Sequence, residues 1–201
     1  MTYKLYFRYG CVSSSKSANL LMVAHNYEKQ GKKVLVIKPS IDTRSDNIDS
    51  RTGMSRKPDI VATPDTDILT TVISLISSPN ELSCILVDEA QFLTEKQVHQ
   101  LRVLTDYAPV IAYGLRTDFT LELFPGSKAL FCLADSIEEV KTTCWRCNKK
   151  AIINLKHRDG NIIKHKSASE SSVEIGFEDL YLPACFCCWS SRNSIHELIR
   201  L

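Results

Sequence analysis

Residues 6–21, YFRYGCVSSSKSANLL, run from a short apolar strand through a polar loop into a helix that opens on Lys16-Ser17. The spacing is that of a phosphate-binding loop, G-x-x-x-x-G-K-[ST], with Ser15 where the second glycine belongs. Such a loop curls backbone N–H groups toward one point, sets a helix N-terminus behind them and brings a cation into reach. Gly10 can make the tight turn out of the strand, and Ser13, Ser14 and Ser15 form the loop. Lys16 can reach the β- and γ-phosphates, and Ser17 can ligate Mg²⁺. A left-handed backbone at Ser15 would cost about 1–2 kcal/mol relative to glycine. The same residues also suit an ordinary serine-rich strand-to-helix turn, so the rest of the chain has to decide.

Outward from this loop, strand and helix patterns alternate. Leu5–Tyr9 is strand-like. Residues 17–30 carry a stripe of Leu20, Val23, Ala24 and Tyr27, and Gly31 is a natural stop. KVLVIK (33–38) is a β-branched strand, followed by a long polar loop, IDTRSDNIDSRTG. A helix is expected over 66–77, with Leu69, Val72, Ile73 and Ile76 on one face. CILV (84–87) is a buried strand that runs into Asp88-Glu89. Thr94 opens a helix with Gln97 placed for a capping box, ending near Asp106. Residues 110–113 form the next strand, and 129–134 a strand or short helix. The expected fold is α/β, a parallel sheet with helices on both faces.

The two carboxylates after CILV strengthen the phosphate reading. Phosphate-loop proteins hold Mg²⁺ through water with an acidic residue at such a strand end. Adjacent residues on a strand point to opposite sides, so Asp88 can serve the metal and Glu89 can take a proton from an attacking hydroxyl. A solvated strand end would look similar in isolation.

The bulk composition sets limits. The chain has 201 residues, 44% hydrophobic and 24% charged, with a net charge of +2 from mixed signs. That is a globular protein without a basic stripe for nucleic acid. No apolar run nears the ~18 residues of a membrane span, and the N-terminus lacks a signal-peptide pattern, so the expected location is the cytosol. Eight cysteines are many for that compartment. Cys144-Trp-Arg-Cys147 and Cys185-Phe-Cys-Cys188 make a four-thiolate zinc set, closed and therefore structural, with two unrelated pairs of buried cysteines as the other reading. Residues 148–184 separate the pairs, more than the usual ribbon interval of about 15–20. Cys187 is a surplus thiol that competes with Cys188 for the fourth position. RDG at 158–160 reads as a hairpin turn. The expected division is a nucleotide-binding domain, 1–142, and a small zinc-stapled β domain with a C-terminal tail, 143–201.

Several blocks together resemble the type II, or cytosolic, thymidine kinase family: VDEAQFL (87–93), AYGLRTDF (112–119), KPSIDTR (38–44), the paired C-x-x-C motifs and VEIGFEDLYLPAC (173–185). AYGLRTDF and FPGSK (124–128) are most similar to its enteric-bacterial and phage branch. The resemblance implies an ATP-binding α/β domain with a zinc-bound lasso, assembled as a homotetramer. It implies transfer of the ATP γ-phosphate to the 5′-hydroxyl of thymidine, in a pocket that could admit deoxyuridine. By motif, Gly10 and Ser13 to Ser17 would bind phosphate and Mg²⁺, Asp88 would hold the metal by way of water, Glu89 would be the base and Gln91 would lie beside them. Asp42 and Arg44 match the loop near the sugar and phosphates. Phe92, Leu115, Phe119 and Tyr181 match positions that line the thymine pocket, and Ile175 and Gly176 the lasso that reads the base. Core packing is the plainer account of those aromatic and aliphatic side chains. The chain departs from the family at Ser15 for Gly, Val12 for Met and Phe177 for a second lasso Gly. The other reading is a zinc-ribbon binding or regulatory protein on a kinase scaffold whose catalysis Ser15 has weakened.

Overall fold

The computed structural model describes residues 2–42, 45–165 and 180–191. A six-stranded sheet forms its centre. The strands are β1 (Leu5–Tyr9), β2 (Lys33–Pro39), β5 (Ile60–Ala62), β6 (Leu82–Val87), β7 (Val110–Gly114) and β8 (Ser136–Glu139). Their order is β5-β2-β6-β7-β1-β8, and every neighbouring pair is parallel. Parallel strands bury both faces, which is why β2 and β6 read as nearly unbroken apolar runs. The alternation of side chains then sorts them. Val34, Val36, Cys84 and Leu86 face one side, where α1 (Lys16–Lys29) packs with Leu20, Leu21 and Ala24. Leu35, Ile37, Ile85 and Val87 face the other, against Ile68 and Val72 of α2 (Ile68–Ser74), Val98 and Leu101 of α3 (Glu95–Leu104) and Leu130 of α4 (Pro125–Leu133). Helices on both faces, as expected, cover the sheet.

The long polar loop is not structureless. β3 (Ile48–Asp49) and β4 (Ser55–Arg56) pair as a small hairpin whose Ile48 joins the α1 side of the core. The helix expected over 66–77 is shorter at both ends: Asp67 caps its start by accepting from the Thr70 N–H at 2.8 Å, and Leu75 is its C-cap. The ambiguous segment 129–134 is helical and starts earlier, with Pro125 in its first turn, where proline lacks nothing. No described helix is long and apolar enough to cross a membrane.

After residue 142 a second, three-stranded sheet forms from β9 (Ile153–Arg158), β10 (Asn161–Ile163) and β11 (Tyr181–Ala184), in the antiparallel order β10-β9-β11. Asp159 and Gly160 both have positive φ, 49° and 80°, as a two-residue turn between twisted strands requires. A short helix, α5 (Phe186–Ser190), follows β11.

Thr94 and Gln97 make the expected capping box, with Thr94 Oγ1 accepting from the Gln97 N–H at 3.2 Å and Gln97 Oε1 from the Thr94 N–H at 3.0 Å. Gln97 does more: its Nε2 donates to the carbonyls of Thr63 and Thr66, at 2.8 and 3.1 Å, and the residue is buried. Thr94→Ala is therefore expected to cost about 1 kcal/mol, the loss of a cap. Gln97→Leu is expected to cost more, about 2–3 kcal/mol, because it also takes a partner from the Thr66 carbonyl and one of two from the Thr63 carbonyl, which keeps the Thr66 N–H. Urea unfolding of both variants measures the order, and a milder Gln97→Leu would contradict it.

Candidate active site

The site lies at the carboxyl ends of β1, β6 and β7, adjacent in the sheet. Gly10 leaves β1 where there is no room for a side chain: a Cβ there would lie 2.4 Å from the Val140 carbonyl oxygen and 2.5 Å from Ser14 Oγ. The loop then turns through two left-handed residues, Ser13 at φ 61° and Ser15 at φ 62°. Ser15 thus adopts the glycine-type backbone that its position demands. Its side chain is exposed and makes no capping bond to α1, so it does not occupy the loop. Ser14 is the serine turned inward, and it is buried.

Lys16 is buried too. Its Nζ donates to the carbonyls of Gly10 and Cys11, at 3.1 and 2.8 Å, and to Ser14 Oγ at 3.3 Å. The ammonium therefore sits across the loop that it is meant to serve. Ser17 Oγ donates to both carboxylate oxygens of Asp88, at 3.1 and 3.3 Å. Burial pushes the Asp88 carboxyl up, and the Glu89 charge adds to this; the Ser17 bond and Lys16 act the other way. A buried acid with a hydroxyl beside it is a donor set that suits a hard divalent cation.

Glu89 begins a 3₁₀ turn, Ala90–Phe92, with a left-handed backbone at φ 47°. This kink sends it away from Asp88, to accept from Gln91 Nε2 at 2.5 Å. Gln91 is buried, and its Oε1 accepts from the Leu115 N–H at 3.0 Å. Ser127 Oγ in turn donates to the Leu115 carbonyl at 2.6 Å. The fit is close: a Cβ on Gly114 would lie 2.8 Å from Gln91 Oε1, and one on Gly126 2.5 Å from the Ala90 carbonyl oxygen. One amide thus links the base candidate to the 115–123 loop.

The remaining expected residues fall in three groups. Phe92 is half-buried and meets the Phe124 ring edge-on at 5.7 Å. Phe119 is buried with Lys156 Nζ 4.5 Å above its ring, and Tyr181 stands opposite Lys156 in the β9–β11 register. Leu115, Phe119 and Tyr181 are thus tied to neighbouring supports. Asp42 is buried and paired with Lys38 at 3.2 Å, a partner not foreseen from sequence. Arg44, Ile175, Gly176 and Phe177 lie outside the described residues.

The sulfurs of Cys144, Cys147, Cys185 and Cys188 lie within 4.8 Å of one another. Cys147–Cys185 and Cys147–Cys188 are 3.7 and 3.8 Å apart. Tetrahedral zinc with Zn–S of about 2.3 Å requires sulfurs about 3.8 Å apart, so these thiols fit that ion. Cys188 takes the position that it contested with exposed Cys187. Burial raises the Cys144 thiol, but backbone N–H groups of Cys185, Arg146 and Cys147 outweigh this and lower it to about 7.

Sequence reasoning missed Asn154, Gly114, Gly126, Lys156 and Arg51, whose Nη1 donates to Ser13 Oγ at 2.8 Å. The one available signal was Asn154, a polar residue inside the apolar run AIINL.

A family model described as thymidine kinase matches residues 3–189. The thymidine kinase of Lactococcus lactis subsp. lactis is 42% identical over 186 residues, covering 90% of this chain and 94% of that one. The thymidine kinase of Lactiplantibacillus plantarum is 41% identical over 187 residues, 90% and 93% of the two chains. That of Listeria monocytogenes is 44% identical over 193 residues, 92% and 95%.

Ser15→Gly is expected to stabilise the protein by about 1 kcal/mol by relieving the left-handed serine. For a chain of this size that raises Tm by about 2–4 °C. A lower Tm would reveal a compensating contact of the hydroxyl. Metal analysis is expected to find about one zinc per chain, retained in Cys187→Ser and lost in Cys188→Ser.

Proposed function

This chain belongs to the thymidine kinase family, and we propose that it phosphorylates thymidine as follows. The loop from Gly10 to Ser17 wraps the phosphates of ATP, with their charge against Lys16 and the N-terminus of α1. Lys16 gives up its bonds to the Gly10 and Cys11 carbonyls when phosphate oxygens replace them. Ser17 and Asp88 would hold Mg²⁺, which when bound neutralises phosphate charge. Glu89 accepts the proton of the 5′-hydroxyl as that oxygen meets the γ-phosphorus, and Gln91 fixes the direction of its carboxylate. Phosphoryl transfer asks mainly for positioning and charge neutralisation, and these residues provide both.

The observation that carries this reading is the division of labour at residues 88 and 89. Asp88 is bonded to Ser17 of the phosphate loop, whereas Glu89 is turned aside onto Gln91, which in turn is held by Leu115. Asp42 and Arg44 would flank the sugar and phosphates, Phe92, Leu115, Phe119 and Tyr181 would enclose thymine, and Ile175 and Gly176 would read its edge. The four cysteines would hold a structural zinc in a lasso module spanning 143–201, beside a kinase domain of 1–142, in a homotetramer of the cytosol. The outward-facing Ser15, with its glycine-like backbone, argues for an active loop over a weakened one.

Glu89→Gln, assayed with ATP, Mg²⁺ and thymidine, is expected to lower kcat by about 10²–10⁴-fold while ATP still binds. Retention of most of the rate would reassign the base. Gln91→Leu is expected to lower kcat more than it raises KM for thymidine, since it loosens the base without removing it. An effect confined to KM would contradict that role.

A further inference from the structure

Asn154 is the second residue of β9, in the small sheet, yet both ends of its amide reach loops that leave the larger one. Its Oδ1 accepts from the Val12 N–H, inside the phosphate loop, at 2.8 Å. Its Nδ2 donates to the Thr117 carbonyl, inside the 115–123 loop, at 2.9 Å. The residue is buried, with only 3% of its surface exposed. One rigid, planar group therefore spans two loops that the sheet itself does not hydrogen-bond to each other through Val12 and Thr117.

Other bonds keep this joint from sliding. Arg116 Nη2 donates to the Ile152 carbonyl at 3.1 Å, and Thr142 Oγ1 to the Ser13 carbonyl at 3.4 Å. Two residues along β9 on the same face, Lys156 lies above Phe119. Thus β9 grips the phosphate loop at Val12 and the other loop at Thr117 and Phe119. An amide cannot rotate to follow one loop without breaking its bond to the other, because its donor and acceptor lie on opposite arms.

We propose that Asn154 is a positioning residue that couples the two substrates: ordering of the 115–123 loop on the nucleoside fixes Val12 and prepares the phosphate loop for ATP, and the reverse. This rests on the functional reading above, in which those loops bind thymidine and ATP. Coupling of this kind is reciprocal in binding free energy, so it is measured as a ratio of affinities.

The test uses the full chain. The Kd of Mg²⁺–AMP-PNP is measured by calorimetry with and without saturating thymidine, for wild type, Asn154→Leu and Asn154→Asp. The aspartate keeps the acceptor for Val12 and sets an oxygen against the Thr117 carbonyl. Thymidine is expected to tighten AMP-PNP binding about fivefold or more in wild type. In both variants the ratio is expected to fall to near one. Asp67→Ala, which only uncaps α2, is expected to keep the wild-type ratio at lower Tm. A ratio of one in wild type, or an unchanged ratio in Asn154→Asp, overturns the inference. Hydrogen exchange of wild type needs no variant: thymidine alone is expected to slow exchange in peptides covering residues 11–15, and unchanged exchange overturns the inference. A wild type that yields no thymidine monophosphate overturns the functional reading itself, which separates the two failures.

Discussion

The bond from Ser17 to Asp88 exists because β1 and β6 both flank β7 in a sheet whose strands all run the same way. Parallel pairing puts the carboxyl ends of all these strands on one edge. The loop after β1, the acidic pair after β6 and the GLRTD segment after β7 have to meet there. Nothing in the loop alone would bring a carboxylate to its serine. The catalytic arrangement is in this sense a by-product of strand order, with the site at the carboxyl ends of the strands.

Around that edge the protein stores conformational cost in a few residues. Ser13, Ser15 and Glu89 all have positive φ without being glycine. Each is held by neighbours. Ser13 receives Arg51, Glu89 receives Gln91, and Ser15 sits at the start of a 14-residue helix that packs into the core. Strained residues gathered around a loop and a base are the pattern expected where backbone N–H groups and a carboxylate must point at a ligand before it arrives.

Much of this was legible in the sequence, and the failures have physical reasons. The capping box of Thr94 and Gln97 could be read because caps depend on local spacing. The edge strand β8 could not, since SIEE carries no apolar alternation and is strand only because β1 offers it a partner. The helix after Phe124 hid behind a Pro-Gly pair that reads as a turn, although proline suits a first helical turn. The acid, lysine and cysteine positions were readable because chemistry restricts residue type. Gln91's grip on Leu115 and Asn154's two hydrogen bonds were not, because they join residues far apart in the chain whose spacing encodes nothing; Lys38's pairing with Asp42 was not, because its four-residue spacing crosses a strand end, where no helical periodicity brings the two together.

The close approach at Gly126 constrains how this architecture can vary. The start of α4 is pressed against the backbone of the Ala90–Leu93 turn, and Gly114 is pressed against Gln91, so both ends of the intervening segment are clamped. Between them, the Thr117–Leu123 bridge closes a small tip, 118–122, in which Asp118 Oδ1 gathers the Thr120 and Glu122 N–H groups. Insertions or deletions at that tip would leave the base and the helix in place but would displace Phe119, which is buried under Lys156 of β9. Length changes on either side of it would shift Leu115 or α4 and, through Gln91, the carboxylate itself. Natural diversification and engineered loop grafts on this edge of the protein therefore meet either the carboxylate or Phe119, and the length of the segment is constrained throughout.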